Sequence, residues 1–246
     1  MRYFGWQLRK EVFATETIFV FLAFMICYFF TGISEVSFHN VFLSDLLRIT
    51  CENVLALIFP MLVCLPLAVK YVTEWQSGYL YLMLSKMSIK RYVLTKLLTN
   101  ALIGGLLVSI PAAICLIMLV IDKGLSVGSY MESSWQINLF PMLYETHPVG
   151  YACMMLLAFF LCGAVFATLG LGIGAILKKR YLAILLPLAY YIGTAVAFPG
   201  GPLNATNMYT LGHLFSNELI FCLIHEMILF IVGATLFIMG VQRNVE

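Results

Sequence analysis

Six stretches of this chain run for about 20 residues each with almost no charge, which is the length an α-helix needs to cross about 30 Å of hydrocarbon. They lie at Thr17 to Ser34, Asn53 to Val72, Leu97 to Ile121, Val149 to Leu177, Tyr181 to Phe198 and Leu219 to Val241. In lipid, each backbone amide must be satisfied within its own segment or in a closed barrel. These runs lack the two-residue alternation of barrel strands. The expected fold is all-α, a polytopic membrane protein of six transmembrane helices forming one domain over residues 1–246. Composition agrees: 62% of the residues are hydrophobic and 11% are charged, against roughly a quarter charged in a soluble domain. Spans take up nearly the whole length, which leaves no room for a soluble catalytic domain.

The charges that do occur are one-sided. Arg2, Arg9, Lys10, Lys70, Lys86, Lys90, Arg91, Lys96, Lys178, Lys179, Arg180 and Arg243 fall at one set of span ends; only Arg48 and Lys123 fall at the other. Lys and Arg accumulate on the cytoplasmic side of membrane proteins, so both termini and the segment at 73–96 are expected to face the cytoplasm. At the N-terminus, Phe4, Trp6, Leu8 and Phe13 alternate with Arg2, Arg9 and Lys10, and residues 1–14 read as an amphipathic helix lying in the headgroup layer. Glu11 and Glu16 interrupt what would otherwise resemble a secretory leader, so the first apolar run is expected to be a retained span. The loops Glu35 to Glu52 and Asp122 to His147 are acidic and long enough for short interfacial helices. Asn204-Ala205-Thr206 matches a glycosylation acceptor, a pattern so short that it carries little weight.

Between the second and third runs the chain spends about 25 residues where a handful would turn it round. Glu74 opens this segment and Lys86, Lys90, Arg91 and Lys96 follow. Trp75, Tyr79 and Leu82 stand at i, i+4 and i+7, one face of a helix, with Gly78 as a bare patch on it. Two readings fit these residues. One is a rigid amphipathic helix that passes a push from a soluble partner into the membrane; the other is a solvated basic loop that only enforces topology.

The order Glu74, Gly78, the leucine-rich Leu80 to Leu84, Lys90 with Arg91, Tyr92 and Lys96 resembles the signature region of ABC-type-2 permeases, the membrane subunits of bacterial ATP-driven exporters. The family commonly has Thr after the Gly and Pro before the basic cluster, where this chain has Tyr79 and Met87. The resemblance implies that the segment from Glu74 to Ser85 is a coupling helix seated in a groove of a separate ATP-binding cassette subunit, with Glu74, Trp75, Gly78, Tyr79 and Leu82 as contacts. It also implies a second permease subunit, in a homo- or heterodimer, and a place in a bacterial cytoplasmic membrane among its lipids; nucleic acid is not among the implied partners. The chain has no GxxxxGK[ST] phosphate loop, so ATP and Mg are expected in the partner, with no cofactor in this chain. ATP hydrolysis there would drive export of a lipidic, drug-like or amphipathic peptide cargo.

Other residues invite chemistry. His225 and Glu226 lie in the sixth run, but the HExxH zinc motif needs a second His where Leu229 stands. An intramembrane Glu is costly to keep and is a functional candidate by default, so Glu226 with His225 reads either as part of a substrate or proton pathway or as a structural contact between helices. An intramembrane enzyme or redox protein using these two residues is the alternative from another class. The remaining histidines, His39, His147 and His213, fall in or near loops, which disfavours haem ligation by facing spans. The seven cysteines form no CxxC pair and read as small buried hydrophobes. Phe19, Phe21, Phe24, Tyr28, Phe29 and Phe30 crowd the first run; packing is the default for them, and the resemblance would let some, Phe24 and Tyr28 foremost, line a cargo pathway. Gly163 to Ala175 is rich in small residues, with Gly170 and Gly174 at the spacing that lets helix backbones approach closely. Pro60, Pro66 and Pro187 are expected to bend or loosen their spans.

Overall fold

A computed structural model describes residues 2–36, 54–123, 140–199, 201, 203–209 and 218–245. Among the described residues the regular structure is helical throughout: α1 (Arg2–Val12), α2 (Thr15–Val36), α3 (Val54–Gln76), α4 (Tyr79–Leu84), α5 (Ile89–Lys123), α6 (Pro141–Thr146), α7 (Pro148–Leu177), α8 (Arg180–Ala197), a 3₁₀ turn at Ala205–Met208, and α9 (Leu219–Val245). Five of these helices are long and apolar enough to cross a membrane, and there are six spans if the pair formed by α1 and α2, bent by 55°, counts as one. The chain is an all-α polytopic membrane protein.

The bend between α1 and α2 has a local cause. Residues 13 and 14 leave the helix, and the Thr17 hydroxyl donates to the Glu11 carbonyl at 2.8 Å, satisfying an acceptor that the end of α1 exposes. Arg9, Lys10 and Glu11 stand in the last turn of α1, and the strongly apolar stretch of the pair begins only beyond the bend, in α2. Along α2, Val20, Phe24 and Tyr28 are fully buried, whereas Phe19, Phe29 and Phe30 face outward, where lipid replaces water.

At the bundle's centre stands α7, packed against α3, α5, α8 and α9. Its glycines make this possible. A Cβ at Gly163 would collide with the Gly104 carbonyl of α5, and one at Gly172 would collide with the Gly233 carbonyl of α9. Without a hydrophobic drive between helices in lipid, such close backbone approach supplies the dispersion contacts that hold the bundle. Gly170 and Gly174 likewise face Cys64, Ala183 and Val72, so the small-residue run does what its spacing predicts.

An aromatic cluster fills the end of the core away from most of the basic residues. Phe59 of α3 stacks on Tyr209 with centroids 4.7 Å apart and meets Phe166 and Tyr191 edge-on at 5.3 and 5.1 Å. Tyr209 is there because the chain after α8 folds back into the bundle. The Thr194 hydroxyl accepts from the Ala205 amide at 3.1 Å, and Asn207 Nδ2 donates to the Gly201 carbonyl at 2.9 Å. The Asn204 side chain is buried and accepts from both the amide and the hydroxyl of Thr206, so this acceptor-like tripeptide serves as a cap.

The segment expected as a cytoplasmic unit at 73–96 divides into three. Thr73 to Gln76 complete α3, and Ile89 to Lys96 already belong to α5, whose 35 residues reach about 52 Å and overshoot the hydrocarbon. Only residues 77–88 stand free of the long helices, and α4 is their six-residue core. Gly78 makes the break at φ 74, a left-handed conformation in which a side chain would be strained. The single helical face expected for Trp75, Tyr79 and Leu82 is therefore not formed, because Trp75 ends one helix and the other two lie on the next.

Candidate functional site

Beneath this elbow four charged side chains from three helices meet. Lys70 and Glu74 are one turn apart on the same face of α3. Lys96 reaches in from the second turn of α5, and Glu11 from the last turn of α1. Glu11 takes Lys70 Nζ on Oε2 at 2.5 Å and Lys96 Nζ on Oε1 at 3.3 Å; Lys96 Nζ also holds Glu74 Oε2 at 2.9 Å. Gln7, four residues before Glu11, donates to Glu11 Oε1 at 2.9 Å. The result is an alternating chain, Lys70, Glu11, Lys96, Glu74, with no net charge.

Burial makes this arrangement informative. Glu11 and Lys96 have side-chain exposures of 0% and 4%. Desolvating an ion costs several kcal/mol, and the cost is recovered only where partners and hydrogen bonds are well placed. Burial pushes the Glu11 carboxyl up, yet the Lys96 ammonium together with the hydrogen bond and charge of Lys70 outweigh it, and the carboxyl lies below its ordinary value of 4.5. Loss of Glu11 or Lys96, the two most buried members, would break two of the three ion pairs at once. The cluster therefore fixes α1, α3 and α5 to one another at the foot of the elbow.

The elbow itself is gripped from two sides. Lys10 Nζ lies 5.0 Å from the centroid of the Tyr79 ring and 5.4 Å from that of Trp6, joining α1 to the start of α4. At the far side, Lys178 Nζ stands 4.5 Å over the Trp75 ring and Arg180 donates to Gln76 Oε1 at 2.9 Å, so the turn between α7 and α8 braces the end of α3. Leu80 is fully buried in a second apolar cluster with Tyr71, Val72, Tyr92, Leu171 and Phe237. Tyr81 and Leu82 point the other way, 53% and 63% exposed, beside exposed Lys86, Lys90 and Arg91.

Of the residues expected to contact a partner, Leu82 is on the outer surface, Gly78 and Tyr79 are half-buried, Trp75 packs inward, and Glu74 is engaged by Lys96. Tyr81 joins Leu82 because the face must be counted afresh from Tyr79 once Gly78 has broken the helix. In the sequence, Glu11 stands out only as an interruption of a leader-like pattern.

The second candidate cluster lies deep in the bundle. His225 Nε2 and the Tyr190 hydroxyl of α8 are 2.5 Å apart, while His225 Nδ1 is buried without a hydrogen-bond partner. Glu226 is 5% exposed and is within electrostatic reach of Cys162 on α7 and of Cys222 one turn earlier on α9. The two neighbours in sequence thus face different helices and do not form a dyad. Phe24 and Tyr28 are enclosed in the main core; Tyr28 shares a 2.6 Å hydrogen bond with the Tyr209 hydroxyl. His147 occupies the position just before α7 without a side-chain hydrogen bond to its first turn, and His39 and His213 lie outside the described residues. Among the described residues no three His, Cys, Asp or Glu side chains are grouped to hold a metal.

Comparison of the chain with protein-family models, with curated proteins and with solved structures found no match.

Proposed function

We propose that this chain is the permease subunit of an ATP-driven exporter in a bacterial cytoplasmic membrane. Its elbow takes up a closing motion from a separate ATP-binding cassette subunit, which holds the ATP and Mg. One observation carries the reading: a short helix with Tyr81 and Leu82 exposed is held on a buried charge cluster that ties it to α1, α3 and α5. A solvated loop that served topology alone would have no use for so costly a foundation. The twelve basic residues at the elbow end support a cytoplasmic position for it and for both termini. The permease works with a second copy or a sister chain. Its apolar interior suits a lipidic, drug-like or amphipathic peptide cargo, with Glu226 as a polar point along the route.

The separation of His225 from Glu226 favours this reading over an intramembrane enzyme, since a catalytic pair has to converge on one reacting atom. The test is purification of the tagged full chain in mild detergent from its native membrane. An ATP-binding protein should accompany it, and the pair of changes Tyr81→Asp and Leu82→Asp should release that protein. Labelling of a cysteine placed at Lys86 by an impermeant reagent added outside intact cells would overturn the reading, as would a chain that never brings a nucleotide-binding partner with it.

A further inference from the structure

Between α2 and α5 runs an open groove of about 310 Å³, bordered by Phe13, Ile18, Phe21, Ile103, Leu107 and Ile110. The one polar residue on its wall is Thr17, and that hydroxyl is already given to the Glu11 carbonyl. At its end nearest α1 the groove meets a basic cleft formed by Trp6, Arg9, Lys10 and Phe13, with Phe13 forming part of both. Glu16 borders the neighbouring cleft that Lys10 shares with α3, and no carboxylate borders this one. Two cations, an aromatic shelf at Phe13 and then a carbon-lined channel follow one another, the same sequence of chemistry as an anionic amphiphile.

We propose that the cleft and groove form one binding site for an anionic phospholipid, its phosphate on Arg9 and Lys10 and one acyl chain laid between α2 and α5. Charge complementarity selects the occupant. A zwitterionic lipid would fill the groove equally well but gain less from the paired cations, and a protein partner would have to offer an acid beside an apolar helix at this depth. The site depends on α1 lying at headgroup level and not on the elbow's having an ATPase partner.

Native mass spectrometry of the full chain in mild detergent, titrated with phosphatidylglycerol and with phosphatidylcholine of the same acyl chains, tests it. One phosphatidylglycerol should bind saturably and several-fold more tightly than phosphatidylcholine. Arg9→Gln with Lys10→Gln should weaken phosphatidylglycerol by roughly thirtyfold, from about 1 kcal/mol per basic residue near a membrane surface. Arg9→Lys with Lys10→Arg should retain it. Leu106 also stands on the groove's wall, and Leu106→Trp, which fills the groove, should weaken both lipids, with an unchanged unfolding midpoint as the check on folding. Equal binding of the two lipids would overturn the site, as would full binding after loss of both charges, or competition by glycerol phosphate as effective as that of the lipid. Cross-linking of two copies through Leu106→Cys in liposomes would overturn it too, by making the groove a seam between chains.

Discussion

Glu11 is the residue on which the elbow's foundation turns. Its carboxylate accepts from two lysines that lie 59 and 85 residues away in the chain, with its own side chain wholly withdrawn from solvent. Replacement by Gln leaves Lys70 and Lys96 facing a single acid, Glu74. Breaking a buried pair by removing one partner costs about 3–5 kcal/mol; Lys70 is partly exposed and can turn to water, so Glu11→Gln should cost about 3 kcal/mol, read as a lower unfolding midpoint in detergent. Adding Lys70→Met should recover part of that loss, and strict additivity of the two changes would show that the ion pair is not coupled. Acidity offers an independent reading. Because the folded carboxyl lies below 4.5, the stabilisation is fully present above that pH and disappears as pH falls through the folded value. The midpoint should stay level from neutral pH to about 4.5 and then drop, more steeply in the wild type than in Glu11→Gln. No local pattern around Glu11 points to this role, since an acid in an amphipathic helix reads as a solvated face until its distant partners are known. Lys96 carried a clearer signal, as a lone cation at the mouth of an apolar run.

At the scale of the element, the spans were legible because hydrocarbon permits so few solutions, and the elbow's internal structure was less so. Helices continue past the membrane until something stops them, and α5 therefore begins at Ile89 where hydropathy alone places its start at Leu97. Gly78 was visible in the sequence, but its left-handed φ, and hence the new face counted from Tyr79, was not. The glycines of the bundle separate into classes that substitution can distinguish. Gly163→Ala places a methyl group against the Gly104 carbonyl and forces α5 from α7, a strain of about 1–3 kcal/mol. Gly78→Ala meets no neighbour within 4 Å and pays only for its backbone, about 1–2 kcal/mol. Gly193→Ala, also without neighbours within 4 Å and in an ordinary helical conformation, should leave the unfolding midpoint where it is or raise it slightly. Equal effects at Gly163 and Gly193 would mean that close backbone approach does not hold α5 to α7.

Across the whole molecule, the proposed function makes the two clusters opposite ends of one mechanical problem: force would be received at the elbow and rearrangement would follow somewhere along the interior. Of the first run's aromatics, which were expected to pack by default, Phe24 and Tyr28 are buried in the core, and Tyr28 ties α2 to the folded-back turn through Tyr209, so in this conformation the interior is closed where they stand. Glu226 is the acid left there among the described residues. If cargo or a proton passes it, Glu226→Gln should change export and its pH profile while ATP hydrolysis persists, and an unaltered profile would assign it to helix packing. On the proposed function the elbow allows a sharper separation, because reception and transmission would use different side chains. Leu82→Asp alters a side chain 63% exposed and should leave the unfolding midpoint unchanged while weakening capture of an ATP-binding partner, and Tyr81→Asp beside it should abolish that capture. Glu11→Gln leaves that surface intact and loosens what lies beneath it, so the partner should still bind and hydrolyse ATP while cargo movement falls. Were both variants to lose the partner together, the charge cluster would merely shape the docking surface, and transmission would have to run through the contacts of Lys178 and Arg180 with the end of α3.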